Sequence, residues 1–197
     1  TSDQVGALTT DQLRSLETAD LRAISTAALQ GLNSAQIGSL TTDEVNVLTT
    51  AQVASLNTTQ LKGLNTADVV ALTSTQVAAL RSDQVASLST TQLRAIETGD
   101  IKSLTTGDIR ALSTDQLNSL TSDQLQALTS AQITSLTTNQ VQGLTTANLN
   151  VLTTDEMGRF STAQVKVLTT DQLQKLTTAN LDALGTGQYA VLTSDQV

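Results

Sequence analysis

The feature that most constrains the fold is an eight-residue repeat that runs through the whole chain. Residues 9–16, TTDQLRSL, are typical, and every other segment is a variation on them. The 197 residues hold 24 such octads and five further residues, with no insertion or deletion. A fixed short period that survives this much substitution marks a repeat protein, whose units bury their apolar faces against their neighbours. We therefore expect residues 1–197 to form a single repeat array, an excerpt of a longer one.

Five of the eight positions carry the pattern, counting from Thr1 as position 1. Position 2 is always Thr or Ser, and position 5 is a large apolar residue, mostly Val, Leu or Ile. Position 8 is Leu except at Ile24, Ile96 and Phe160. Position 7 is usually small, and position 4 is usually Gln or an acid. The two invariant apolar positions identify the candidate core.

Three conformations are compatible with an octad. In one continuous helix the apolar stripe would rotate by about 80° per octad and form no lasting seam. A β-solenoid is the alternative that stays open, because Thr and Val favour strands. One strand would, however, point positions 5 and 8 to opposite faces. The turn signals that would repair this are missing, since Pro is absent and the ten Gly keep to no fixed position.

The third conformation, one short helix per octad, fits the spacing best. Positions 5 and 8 are i and i+3 and share a helical face, with the position 4 Gln beside them. A hydroxyl at position 2 is placed to cap the helix N-terminus. The alternative is a cap at position 1 with a capping box closed by position 4, as in Thr9 and Gln12. We favour position 2, because position 1 is broken by Glu17, Arg81, Glu97 and Gly185.

The distribution of charge also favours short helices. Fifteen of the 18 acids lie at positions 3 or 4, and seven of the ten bases lie at position 6. Acids in the first turn and bases near the last turn complement a helix dipole. We therefore predict an all-α, tightly wound solenoid with one short helix per octad and two to four octads per superhelical turn. Positions 5 and 8 would line its inside, and small residues at position 7 would let neighbouring octads approach closely.

Composition argues against several classes of function. The net charge is -8 with a pI near 4.3, which opposes binding to nucleic acid. No apolar run is long enough for membrane insertion, and the ten Lys and Arg form no basic patch. With no His and no Cys, the usual catalytic bases and nucleophiles are missing. We expect no enzyme activity, no catalytic residue, no cofactor and no metal site.

The last third of the chain departs from the pattern. Beyond Leu144, position 7 becomes bulkier, and the two aromatic residues and the Met also lie there. One interpretation is drift in a tolerant repeat. The other is a contact surface around Met157, Phe160 and Tyr189.

Two resemblances bear on function. Residues 8–13, LTTDQL, resemble the opening helix of TAL-effector repeats, but the base-reading loop of those repeats is missing here. The whole chain resembles the Thr/Ser- and Leu-rich tandem tracts of very large repetitive bacterial exoproteins of the adhesin or haemagglutinin type. That resemblance implies a secreted or surface segment, with which the absence of Cys is compatible.

These observations predict a structural, non-enzymatic spacer, stalk or fibre-forming segment of an extracellular or cell-surface bacterial protein. Its expected partners are the rest of a larger parent chain and further copies of itself. We expect self-association or lateral bundling because the apolar positions alone do not offset the entropy lost on ordering the chain. The alternative is a repeat binding module for a polysaccharide, ice or a protein partner, with the Thr pairs at positions 1 and 2 as a hydroxyl face.

Overall fold

The computed structural model describes residues 1–196, and within them it contains 24 short α-helices and no strand. The chain divides into two compact units, Thr1–Leu104 and Thr105–Val197, and each is built as a solenoid of short helices. Successive helices begin about one octad apart. The all-α prediction is confirmed, and the β-solenoid alternative is wrong.

Helices of four to six residues follow one another in both units. The first unit contains α1 (Ser2–Gly6), α2 (Thr10–Arg14), α3 (Thr18–Ala23), α4 (Thr26–Leu29), α5 (Ser34–Ile37), α6 (Thr42–Val47), α7 (Thr50–Ser55), α8 (Thr58–Leu61), α9 (Thr66–Val70), α10 (Ser74–Ala78), α11 (Ser82–Ser87), α12 (Thr90–Ala95) and α13 (Thr98–Ile101). The second contains α14 (Thr106–Ala111), α15 (Thr114–Ser119), α16 (Ser122–Gln126), α17 (Ser130–Ser135), α18 (Thr138–Gly143), α19 (Thr146–Val151), α20 (Thr154–Gly158), α21 (Thr162–Lys166), α22 (Thr170–Lys175), α23 (Thr178–Asp182) and α24 (Thr186–Tyr189).

Most of the helices begin with a capping box at positions 1 and 4, so the favoured cap at position 2 is wrong by one residue. In α2 the Thr9 hydroxyl accepts from the Gln12 N–H at 3.2 Å, and Gln12 Oε1 accepts from the Thr9 N–H at 2.9 Å. Position 2 is the first helical residue. Residues without a hydroxyl at position 1, such as Arg81, do not exclude a cap there. One of the two bonds of the box runs from the backbone N–H of position 1 to the side chain of position 4, and it needs no hydroxyl. The Arg81 N–H still donates to Gln84 Oε1 at 2.7 Å.

Each octad ends where its position 8 residue leaves the helical conformation. Leu48 has φ -54° and ψ 139°, and the following Thr49 has φ -71° and ψ 155°. Two consecutive extended residues turn the chain before the next helix begins. None of the described residues has a positive φ, so the bend requires neither Gly nor Pro. The backbone conformation of the residues at positions 8 and 1 therefore sets the bend between one helix and the next.

The core consists of the two apolar positions, as predicted. Every position 5 and position 8 residue from Leu29 to Leu176 is buried. Leu13 and Leu21 are fully buried as well. Each such side chain contributes about 1.5–3 kcal/mol by leaving water. A helix this short is unstable in isolation, so this shared core holds each helix in place.

Within each unit, a helix packs against the helix three octads further along the chain. Examples are α1 with α4 and α5 with α8 in the first unit, and α14 with α17 in the second. Hydrogen bonds reach back four octads, as described below. One superhelical turn therefore takes between three and four octads, within the predicted range of two to four.

Small residues at position 7 lie where neighbouring octads meet. A Cβ added to Gly31 would overlap the carbonyl oxygen of Ser2, and one added to Gly63 would overlap the carbonyl oxygen of Ser34. In both pairs, position 7 faces position 2 of the octad three earlier. The predicted role of position 7 in close approach is confirmed, and the same contact places the invariant Thr or Ser of position 2 at the interface between octads.

Candidate functional site

The most regular polar feature of the molecule is the buried Gln at position 4. In α7, Gln52 is 2% exposed. Its Oε1 accepts from the Thr49 N–H at 2.8 Å and so closes its own capping box. Its Nε2 donates to the carbonyl oxygens of Leu21 and Ile24, both at 2.8 Å. One side chain thus starts its own helix and ties it to the octad four earlier.

The same bridge recurs through both units, and we call this set of glutamines the amide ladder. Its members each donate to carbonyls 28 to 31 residues earlier: Gln36, Gln52, Gln60, Gln76, Gln84, Gln92, Gln140, Gln164, Gln172 and Gln188.

The amide ladder solves a problem that short helices create. The last carbonyls of a helix have no N–H partner within that helix. In octads this short, such carbonyls make up a large part of the backbone and lie beside the core. Each bond to a Gln amide contributes about 0.5–1.5 kcal/mol, and a buried carbonyl left without a donor costs about 1–3 kcal/mol. The ladder therefore stabilises the packing of each octad against the octad four earlier.

A second set of amides, at position 6, reaches in the opposite direction along the chain. Asn46 Nδ2 donates to the Ala71 carbonyl at 3.0 Å, and Asn118 Nδ2 donates to the Gly143 carbonyl at 2.8 Å. Each spans 25 residues, from position 6 to position 7 of the octad three later. These bonds are exposed and supplement the buried ladder. The sequence pattern by itself indicates only that bases favour position 6.

Five buried octads carry an acid at position 4 in place of Gln: Glu44, Asp68, Asp100, Asp108 and Glu156. In all of these octads except that of Asp100, one carboxylate oxygen still closes the capping box, as in the 2.9 Å bond from the Asn65 N–H to Asp68 Oδ2. An ionised carboxylate has no hydrogen to donate to the earlier octad. Burial raises the pKa of Asp68 above its ordinary value, and the hydrogen bond from Asn65 lowers it by less.

The carboxyl groups and the surface depressions of the described residues bear on metal binding and acid–base chemistry. Within residues 1–196 no three carboxylates are grouped so as to hold a metal ion. The depressions on the surface lie between octads. One of about 510 Å³ is lined mainly by hydroxyl, amide and aliphatic side chains: Lys62, Leu64, Asn65, Thr66, Ser87, Ser89, Thr91 and Gln92. Its lining contains a single titratable group, so it offers no acid–base pair.

The hypothesis of a contact surface in the last third of the chain is wrong for two of its three residues. Met157 is fully buried and Phe160 is 3% exposed, so both belong to the core at positions 5 and 8. Tyr189 is 43% exposed, and its hydroxyl donates to the Leu181 carbonyl at 2.7 Å. The departures from the usual residue types are therefore core substitutions at positions 157 and 160.

The lengths of the helices can be compared with the thickness of a membrane. In the described part of the chain, none has the length and apolar character needed to cross a bilayer.

Comparison with known families identifies the repeat. The model of the ALTTAQ repeat matches residues 13–50, 45–82, 53–90 and 93–130, which together cover more than half of the chain. All four matches begin at octad position 5 and end at position 2, so they follow the octad register. The six letters of ALTTAQ correspond to positions 7, 8, 1, 2, 3 and 4, as in residues 127–132, ALTSAQ. They include both partners of the capping box. No curated protein sequence matches the chain. The chain belongs to the ALTTAQ repeat family.

Proposed function

We propose that the chain is a structural, non-enzymatic segment that serves as a spacer, stalk or fibre-forming part of a larger secreted or surface protein. The observation that supports this proposal is that the buried amides at position 4 form hydrogen bonds within and between octads. Gln52, like the rest of the amide ladder, uses its Oε1 to cap its own helix and its Nε2 to join that helix to an earlier octad. The regular buried hydrogen-bonding groups thus hold the array together and leave no convergent set free for a substrate.

A repeated link of this kind suits a mechanical element. Each octad is tied to octads three and four positions away through a small core and a few hydrogen bonds. Stability in such arrays is roughly the sum of local terms and nearest-neighbour terms. Under tension the array should therefore open octad by octad and lengthen in small steps. This behaviour suits a linker that must absorb load without losing its whole structure at once.

Single-molecule force spectroscopy tests the mechanical role. The chain is placed between two marker domains and stretched. We expect many small extension steps at low force, and Gln60→Ala should lower the force at which the first steps occur. The matched control is Thr59→Ala, because Thr59 is an exposed residue of the same helix, α8. A single rupture that releases the whole chain would contradict the proposal.

Location and partners form the second part of the proposal. The resemblance to tracts of very large bacterial exoproteins supports an extracellular or surface position and attachment to a larger parent chain. An antibody raised against the array should label intact host cells, and labelling that requires permeabilised cells would overturn the assignment.

Negative-stain imaging and sedimentation over a range of concentrations test lateral bundling, since we expect the sedimentation coefficient to rise with concentration. A constant monomer value would overturn self-association, and strong binding in a glycan array would favour a binding module instead.

A further inference from the structure

Some octads of the first unit lack the tie that the amide ladder supplies to their neighbours. Most octads that have another octad four earlier within this unit carry a ladder residue at position 4: Gln36, Gln52, Gln60, Gln76, Gln84 and Gln92. The others carry an acid at that position: Glu44, Asp68 and Asp100. A carboxylate has no N–H to donate, so these three side chains cannot form the ladder bond.

Asp100 is tied to an earlier octad in another way. The Ser74 hydroxyl donates to Asp100 Oδ1, and this bond joins α10 to α13, two helices that pack against each other. Glu44 has no such substitute, because its Oε1 is a buried oxygen with no hydrogen-bond partner among residues 1–196. Among the described residues, the Asp68 carboxyl is bonded within its own octad, to the Asn65 N–H at 2.9 Å. The missing tie therefore distinguishes Glu44 and Asp68.

These two acids lie in helices that stack directly on each other. Glu44 belongs to α6 and Asp68 to α9, and these helices are three octads apart and in contact. Asn46 Nδ2 donates to the Ala71 carbonyl at 3.0 Å and joins the end of α6 to the end of α9. We call α6 and α9 the untied helices. They are joined to each other, but position 4 of neither is joined to the octad four earlier.

The packing around the untied helices is also less regular than elsewhere in the first unit. Val47 occupies position 7 of α6, where a small residue usually permits close approach. Val70, at position 6 of α9, is 47% exposed. A surface depression of about 440 Å³ lies against the end of α6 and is lined in part by Asn46, Val47 and Leu48. This depression brings solvent to the C-terminal end of α6.

The missing bonds lower the stability expected for the untied helices. In α7, by comparison, Gln52 Nε2 donates to the carbonyl oxygens of Leu21 and Ile24, both at 2.8 Å. The untied helices have no side-chain N–H at position 4 to make the two equivalent bonds. Helices of this length depend on tertiary contacts for their stability. Segments with fewer such contacts open locally at a lower free-energy cost.

We propose that the untied helices are a built-in opening point of the first unit, at which α6 and α9 separate from earlier octads more often than the ladder helices do. Opening there lets the array bend or lengthen locally while ladder bonds such as those of Gln52 and Gln76 stay closed. The proposal concerns the folded array at rest. Its test applies no load, so it succeeds or fails independently of the mechanical role proposed above.

Native-state hydrogen exchange at neutral pH offers a matched comparison within the wild-type chain. Val45 and Val69 directly follow the two acids, whereas Val53 and Val77 directly follow ladder glutamines. All four side chains are at most 2% exposed, and each valine N–H donates to the position 1 carbonyl at 2.9–3.1 Å. After correction for intrinsic exchange rates, we expect the Val45 and Val69 amides to exchange roughly tenfold faster than the other two. Equal rates at all four amides would overturn the proposal.

Exchanges between Glu and Gln at position 4 test the cause, because the two side chains have nearly the same shape. Glu44→Gln introduces the residue that is usual at this position, so it should fold and slow exchange at Val45 to the rate of Val53. Gln52→Glu should do the reverse and raise the rate at Val53 to that of Val45. The control is Asp43→Asn, at an exposed residue of α6, which should leave both rates unchanged.

Two results with these variants would contradict the proposal. If Glu44→Gln left exchange at Val45 unchanged, the missing amide would not be the cause of the opening. If Glu44→Gln slowed exchange at Val45 and Val53 by the same factor, the change would report the stability of the whole unit and not opening at the untied helices.

Discussion

Octads with Gln at position 4 and octads with Asn at that position solve the same problem in different ways. In α18, Gln140 Oε1 accepts from the Thr137 N–H at 2.8 Å, and its Nε2 reaches the carbonyls of Ile109 and Leu112. In α19 and α23 the position 4 residues are Asn148 and Asn180, which close no capping box. An Asn side chain is one methylene shorter, so it cannot serve both the cap and the earlier octad.

A second Asn, thirty residues earlier at position 6, supplies what the shorter side chain lacks. Asn118 Oδ1 accepts from the Thr145 N–H at 3.0 Å and contacts Asn148 Nδ2 at 3.2 Å. In the same way, Asn150 Oδ1 accepts from the Thr177 N–H at 2.9 Å. The cap of one octad is thus completed by an octad four earlier. The comparison teaches that an octad with Asn at position 4 depends on position 6 of an earlier octad for its cap, whereas an octad with Gln does not.

The largest expected effect is the loss of stability when a charge replaces the apolar residue at position 5, and it should be the same in octads with Gln and with Asn at position 4. Val53→Asp in α7 and Leu149→Asp in α19 each place a charge in the core and should cost about 4 kcal/mol or more. The free energy of unfolding in urea measures this loss. Arg14→Ala, at an exposed residue, is the control and should change it by less than about 0.5 kcal/mol. Equal stability of all three variants would contradict the proposed packing of positions 5 and 8.

Removing the position 4 amide should separate the two kinds of octad. Gln140→Ala loses the capping bond and two bonds to buried carbonyls, so we expect a loss of about 2–4 kcal/mol. Asn148→Ala should cost about 1 kcal/mol, because its cap is held by Asn118. Hydrogen exchange gives the sharper readout. The Thr137 amide should lose protection in Gln140→Ala, whereas the Thr145 amide should keep it in Asn148→Ala. Loss of protection at both amides would remove the distinction.

A double-mutant cycle tests the compensation directly. Asn118→Ala leaves the Thr145 N–H without its acceptor and should destabilise the second unit by about 1 kcal/mol. With Asn148→Gln also present, the longer amide should close its own capping box, so the second change should recover most of that loss. We expect a coupling energy of about 1 kcal/mol from urea denaturation. Additive effects would show that Asn118 and Asn148 act independently.

The smallest expected effect concerns two acids in different environments. Asp68 is buried at position 4, and burial raises its pKa; Asp83 is exposed at position 3, and the hydrogen bond from Arg81 lowers its pKa. A carbon-detected NMR titration should therefore show Asp68 titrating above the ordinary value of 3.8 and Asp83 below it. The contribution of Asp68 to stability should fall as the pH rises through its folded-state pKa. The reverse order of titration would contradict the assigned environments.

Local sequence decided the elements and the core. The three-residue spacing between positions 5 and 8 predicts that both side chains face the core, as Leu93 and Ile96 do, and acids such as Asp11 lie in the first turn. The small residue at position 7 predicts a close approach of neighbouring octads, as Gly31 shows against Ser2. All of these follow from distances within one octad. The predicted cap at position 2 is one residue away from the observed cap at position 1. Arg81 and Gly185 lack a hydroxyl at position 1, but their backbone N–H groups still donate to the Gln at position 4.

The tertiary structure alone decided which octads meet. The bond from Gln52 to Ile24 spans 28 residues, and the contact between Asn118 and Asn148 spans 30. Those separations depend on how far the chain turns at each junction between positions 8 and 1. A small difference in that turn, repeated over three or four octads, brings a different octad alongside. The period of the sequence determines which face is buried, whereas the accumulated bend determines what that face meets.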